Sequence, residues 1–300
     1  MSTQAQAIPL SSARPARAYL ALVIGMLCIS FTAIFTKWAA APGPVAAAWR
    51  MTIAAVVLAV PFIRQARRWT PTARAGIPWG IAGGLSFGLN LGLLNTALLL
   101  TSAATATLLD NTAPIWVGIG AMLVFGERLK PRYWAGLALA LTGAAVVTGF
   151  NPAAGFVPNR GDAIAFGGAT FYAIYLLVTQ RGRRNLDSLS YLWLAAATSA
   201  VALMLASLLL RLPLLGYSPR TYAALLAVGL LSQTGGWLCI NYALGYLPAS
   251  TAVIVLLGQP VVTGLLSIPL LGEMLTARQV VGGLVVLTGI YLCLKRNGSG

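Results

Sequence analysis

Histidine is absent from the 300 residues, and only five carboxylates occur: Asp110, Glu127, Asp162, Asp187 and Glu273. Without histidine, Ser–His and Cys–His nucleophile pairs and His-ligated zinc cannot be built. Cysteine is nearly as scarce. Cys28, Cys239 and Cys293 lie far apart inside apolar runs, with neither CxxC spacing nor a disulfide framework, so each reads as a small buried filler. No metal site and no cofactor are expected. Charge is the largest shortage: 8% of residues are charged against 58% hydrophobic, and the mean hydropathy is +0.83. A soluble domain carries about a quarter charged residues, so this chain cannot cover a water-facing surface. It reads as an all-α integral membrane protein in contact with the lipid bilayer. The net charge of +15 invites a nucleic-acid partner, but a chain this apolar excludes one; the twenty Lys and Arg are better read as orientation signals in short loops.

Apolar runs punctuated by Arg, Pro and Gly predict ten spans: 18–40, 44–63, 77–99, 103–125, 133–150, 161–180, 189–210, 221–244, 249–271 and 278–294. The first 17 residues read as a disordered cytoplasmic tail. Residues 18–150 then form one five-helix unit and 161–294 a second. With the N-terminus inside, fourteen Lys and Arg fall on the cytoplasmic side and five outside, with Arg50 left inside a span. The bias predicts both termini in the cytoplasm and a multi-pass protein of the plasma (bacterial inner) membrane.

The two halves align at a constant offset of 146 (241 less 95) from Asn95 to Gly143 without a gap. Identical pairs include Asn95/Asn241, Thr105/Thr251, Pro114/Pro260, Gly126/Gly272, Glu127/Glu273, Arg132/Arg278, Gly136/Gly282 and Gly143/Gly289. Membrane composition matches Ala, Leu and Gly by chance, but not Pro, Asn, Gly-Glu and Arg in register. Five spans per half is an odd number, so the copies sit in opposite orientations. Ten transmembrane helices as two inverted five-helix repeats place a substrate site near the midplane.

Phe125-Gly126-Glu127-Arg128 and Leu271-Gly272-Glu273-Met274, each after the fourth span of its half, together with Trp49-Arg50 early in the second span, resemble the EamA branch of the drug/metabolite transporter superfamily. The first span departs from that pattern. Many relatives carry Trp-Gly where this chain reads Cys28-Ile29-Ser30-Phe31-Thr32, so no role is carried over from that motif. The resemblance implies a secondary transporter rather than an enzyme, exporting small metabolites; the chain is most similar to the aromatic amino-acid exporters of the family. Transporters of drugs or nucleotide-sugars on the same fold are the alternative, and an intramembrane enzyme is disfavoured by the missing histidine. A monomer is expected.

Polar groups are costly in lipid and face a bundle interior or wet cavity. Asn90 and Asn95 lie in span 3, Asp110 and Asn111 in span 4, Gln233 and Asn241 in span 8, and Gln259 in span 9; spans 5, 7 and 10 have none inside. Spans 3, 4, 8 and 9 should therefore line the path, with spans 5 and 10 peripheral. Arg50 and Asp110, each about 10 Å from the outer face at 1.5 Å per residue, should pair or share a vestibule, with Lys37 joining them or snorkelling. Trp116, Tyr175, Trp237 and Tyr242 lie deep enough to supply aromatic walls. The candidate substrate-binding set is Arg50, Asn90, Asp110, Asn111, Trp116, Tyr175, Gln233, Trp237, Tyr242 and Gln259. Pro114 and Pro260 should open a turn mid-span. Gly84 and Gly88, within Gly80-Gly84-Gly88-Gly92 at i+4 spacing, are candidate hinges or a packing groove. Asp110 is nearly the sole group available for proton coupling, and a cation beside it would hold it ionised, which favours facilitated export.

Overall fold

The computed structural model describes residues 13–150 and 159–295, which form helices joined by turns and short connections, with no strand among them. The first helix begins at Ala13, inside the expected 1–17 tail, of which residues 1–12 lie outside the described residues. Most of the expected 151–160 connection lies outside them as well.

Ten spans follow in order. Span 1 is Ala13–Ser30 continued by Thr32–Ala39, and span 2 is Gly43–Ala66. Span 3 is Ile77–Ala97; span 4 is Ala103–Asp110 with Ala113–Phe125; span 5 is Pro131–Thr148. Span 6 is Arg160–Gly182 and span 7 is Ser188–Leu209. Span 8 runs Pro219–Ala227, a π-helical stretch Val228–Gly236, then Trp237–Leu244. Span 9 is Ala249–Leu256 with Gln259–Leu271, and span 10 is Ala277–Leu294. Nine of these are long and apolar enough to cross a membrane. The tenth, span 5, is the repeat mate of span 10, residue for residue at 146.

Local sequence sets the ends. Asn159 and Asp162 form a reciprocal capping box at span 6, and Thr276 and Gln279 do so at span 10. Asp187 caps span 7 by accepting from Leu189 N and Ser190 N. Spans 4 and 9 both end on a glycine in the left-handed region, Gly126 at φ 66° and Gly272 at φ 68°, where an L side chain is strained. Glu127 N then donates to Ala121 O and Glu273 N to Ser267 O. Those four atoms are again related by 146. The Gly-Glu signature is thus a helix stop used twice.

Spans 5 and 10 show the inversion directly. Gly136 packs against the Gly289 carbonyl, and Gly143 against that of Gly282; a Cβ at Gly143 or Gly289 would come within 2.7 or 2.6 Å of the facing oxygen. Low numbers meet high ones, so the helices run antiparallel, and the repeat mates exchange partners about a two-fold axis. Backbones approach this closely only where Cβ is missing. Span 3 uses the same device on span 7: Gly80 faces Leu194, Gly84 faces Ala195, and Ser199 Oγ donates to Gly84 O at 2.7 Å. Span 3 is one unbroken helix through Gly84 and Gly88. Gly84 and Gly88 here form a packing face against span 7. The interruptions lie at Phe31, Asn111–Thr112 and Leu257–Gly258, with the wide π turn in span 8.

Candidate functional site

The interruptions surround one place. In span 4 the first half-helix ends at Asp110, Asn111 caps it, and the second half starts at Ala113 with Pro114 at its second position. Pro114 has no N–H to continue the ladder, so the turn opens where the sequence placed it. Span 9 repeats this with Gly258, Gln259 and Pro260. The span 1 break frees carbonyls that neighbouring side chains meet: Ser232 Oγ donates to Cys28 O at 2.9 Å, Gln259 Nε2 to Ile29 O at 3.4 Å, and Thr263 Oγ1 to Ser30 O at 2.9 Å. In the apolar interior such partners are obligatory. The broken spans 1 and 9 and the π segment are thereby tied together.

Between them lies a cavity of about 190 Å3. Its wall includes six residues of the sequence set: Arg50, Asn90, Asp110, Asn111, Trp237 and Gln259, with Pro114 at the edge. Arg50 and Asp110 do not pair with each other; both line the cavity. Arg50 Nε donates to Gln233 Oε1 at 3.0 Å, and its guanidinium carbon sits 5.9 Å from the Phe87 ring centre. Asp110 Oδ1 accepts from Asn90 Nδ2 at 2.8 Å, while the same amide nitrogen donates to Gly168 O at 3.1 Å. Asn90 and Gln233 are 3% and 1% exposed. Each charge is therefore held by a buried amide and presented to the cavity. The Nδ2 of Asn111 is buried without a hydrogen-bond partner, a donor free for an acceptor in the cavity. Lys37 joins neither charge; it pairs with Glu273 near the far end of span 9, because the span 9–10 turn brings that carboxylate within its reach.

Aromatic rings form the other wall. Phe87, Tyr172 and Trp237 line the space. Phe87 lies edge-on to Trp237 with centroids 4.8 Å apart and stacks on Tyr175 at 4.4 Å. Tyr175 itself is fully buried behind Phe87, and Gln233 stands behind Arg50; both act on the wall without forming it. Two of the sequence set fall elsewhere. Trp116 sits edge-on to Phe166 and Tyr242 against Tyr246, because their helix faces turn away from the cavity. Conversely, Phe87, Tyr172 and Thr32 line the cavity and were not singled out. Phe87 lies three residues before Asn90, and Tyr172 three before Tyr175, so helical spacing placed each on a face already marked polar or aromatic.

One end of the path is plugged. A turn or more beyond Tyr172 and Trp237, toward the face where span 10 ends, lie Tyr175, Thr179, Tyr191, Asn241 and Leu244, all essentially unexposed. Thr179 Oγ1 donates to Tyr191 Oη at 2.9 Å, and Arg183 Nε to Asn241 O at 2.7 Å. Among the described residues no cluster of three His, Cys, Asp or Glu could hold a metal.

Residues 16–149 and 159–295 each match the model of the EamA-like transporter family. The chain belongs to the EamA-like transporter family. That membership places it in the drug/metabolite transporter superfamily, among multi-pass membrane proteins with small-molecule substrates. Relatives include an uncharacterized transporter of Archaeoglobus fulgidus, 29% identical over 93% of this chain and 98% of its own length. Another is an uncharacterized transporter of Bacillus subtilis, 28% identical over 67% of each chain. A third, from Streptantibioticus cattleyicolor, is described as a probable terminal-alkyne amino-acid exporter; it is 28% identical over 83% of this chain and 82% of its own. A crystal structure at 21% identity superposes with a TM-score of 0.79, covering 93% of this chain and 96% of that one, and shares this fold.

Proposed function

We propose that this EamA-family transporter exports amino acids, aromatic ones foremost, across the bacterial inner membrane by alternating access through the central cavity. The observation that carries this reading is the separation of Arg50 from Asp110, each held by its own amide beside rings. A zwitterionic amino acid brings a carboxylate for Arg50, an ammonium for Asp110 and a planar side chain for Phe87, Tyr172 and Trp237. Pockets for drug-sized ligands span about 300–1,000 Å3, and the cavity here is about 190 Å3. One lining arginine also falls short of what a nucleotide-sugar diphosphate requires. The relative described as an amino-acid exporter agrees with this substrate class.

Both termini are cytoplasmic in this reading, which makes the plugged end the inner one and the conformation outward-facing. Gln233 lies on the π-helical stretch, a form found often at functional sites. Facilitated export had rested on a cation beside Asp110, and Arg50 is held by Gln233 instead; Asp110 is thus the titratable group that coupling would use. Uptake and efflux of tryptophan, phenylalanine, alanine and a cationic dye by proteoliposomes containing the purified chain test the assignment. Saturable movement of the aromatic amino acids, blocked by Trp237→Ala, is expected. Transport of the dye alone would overturn it.

A further inference from the structure

Where spans 4, 5, 9 and 10 meet, on the face where span 10 ends, a second cavity encloses about 370 Å3. Arg128 and Lys130 reach it from the span 4–5 connection, Arg132 from the start of span 5, and Lys295 from the end of span 10. Ser250 and Thr251 add hydroxyls. One carboxylate stands nearby: Glu127, which accepts from Ser250 Oγ. The balance remains strongly cationic. None of these residues lines the central cavity.

The repeat supplies an internal control. At the offset of 146, Arg128 corresponds to Met274, Lys130 to Thr276 and Lys295 to Gly149. Only Arg132 keeps its charge, as Arg278, whose Nη2 donates to Phe150 O at 2.9 Å. Both corners fold alike, with helices starting and stopping at equivalent positions and the same left-handed glycine. The corner therefore forms without the three extra cations. Orienting a chain during insertion needs basic residues on one side, but not their convergence around a cavity.

We propose that this cavity binds the phosphoester anion of an anionic phospholipid headgroup. Basic pockets between transmembrane helices suit such headgroups. The lipid source is favoured over free phosphate by what adjoins the cations: Leu284, Leu287 and Tyr291 are 60, 50 and 60% exposed and share one face of span 10. That apolar stripe leads along the helix to Lys295, a track for acyl chains. The inference is independent of the transported substrate.

Native mass spectrometry of the purified full chain tests it, with phosphatidylglycerol, phosphatidylcholine and inorganic phosphate as probes. Phosphatidylglycerol should be retained over phosphatidylcholine. Arg128→Met with Lys130→Thr, which installs the residues of the other corner, should weaken its binding roughly thirtyfold. Lys130→Gln alone, at an exposed position, should weaken it roughly fivefold and serves if the double variant folds poorly. Arg64→Gln with Arg68→Gln, in a separate basic cavity beside spans 2 and 7, should leave that binding unchanged. Equal retention by the Lys130 variant and the wild type overturns the proposal, and so does an equal loss in the Arg64/Arg68 variant. Displacement by millimolar inorganic phosphate overturns the lipid assignment.

Discussion

Gln233 Oε1 accepts from Arg50 Nε in a nearly unexposed setting, so Arg50→Met strands a buried amide. A stability loss of about 1–3 kcal/mol follows. Because Asp110 is held by Asn90 and not by Arg50, Asp110→Leu should not rescue that loss. Thermal unfolding of the two single variants and the double should give nearly additive losses, whereas a direct ion pair would give strong compensation. Transport should vanish in all three. Asp110→Asn keeps an oxygen for the Asn90 donor and should fold; if a proton gradient drives export, that variant loses the dependence in proteoliposome flux. At this scale the sequence marked the residues better than their pairing. Six of ten candidates reach the cavity, since mid-membrane Asn, Gln, Asp and Arg have few other places to go. Trp116 and Tyr242 fell away because aromatic side chains are equally at home against lipid or another ring.

Helix breaks carried a clearer signal. Pro114 and Pro260 mark the two opened turns, and Gly126 and Gly272 mark two identical stops. The break at Phe31 and the π turn at Val228–Gly236 have no proline to announce them; they depend on side chains from other spans, such as Ser232 and Thr263, meeting freed carbonyls. Gly126→Ala and Gly272→Ala should each lower stability by about 1 kcal/mol, and by similar amounts, because no heavy atom lies within 4 Å of either added Cβ and only backbone strain is at stake. Calorimetry of the two variants checks the equality. Gly289→Val should do far more damage, since its Cβ would lie 2.5 Å from Ala140 N. Thr142 and Thr288 bond only to carbonyls of their own helices, Ala138 and Leu284, so their alanine variants should transport at the wild-type rate. Equal loss of flux in these and in Gln259→Ala would mean the cavity is packing rather than path.

For the whole molecule, the odd number of spans in each repeat predicts the inversion, and the antiparallel glycine contact between spans 5 and 10 displays it. The orientation in the membrane rests on the basic-residue count alone. In a chain with Cys28, Cys239 and Cys293 replaced by alanine, Arg184→Cys should be shielded from an impermeant thiol reagent in intact cells and Arg211→Cys should react. The reverse pattern would place both termini outside.

The seam between spans 5 and 10 also bears on synthesis. Span 5 enters the membrane five helices before its mate, with Gly136 and Gly143 presenting a surface that fits a near copy of itself. Through that interval a second nascent chain offers only a span 5 running the same way, which cannot reproduce the antiparallel contact, so the seam waits for span 10. A fragment ending at Phe150 should therefore cross-link through span 5 to a co-expressed 159–295 fragment, whose span 10 runs the opposite way, and not to its like.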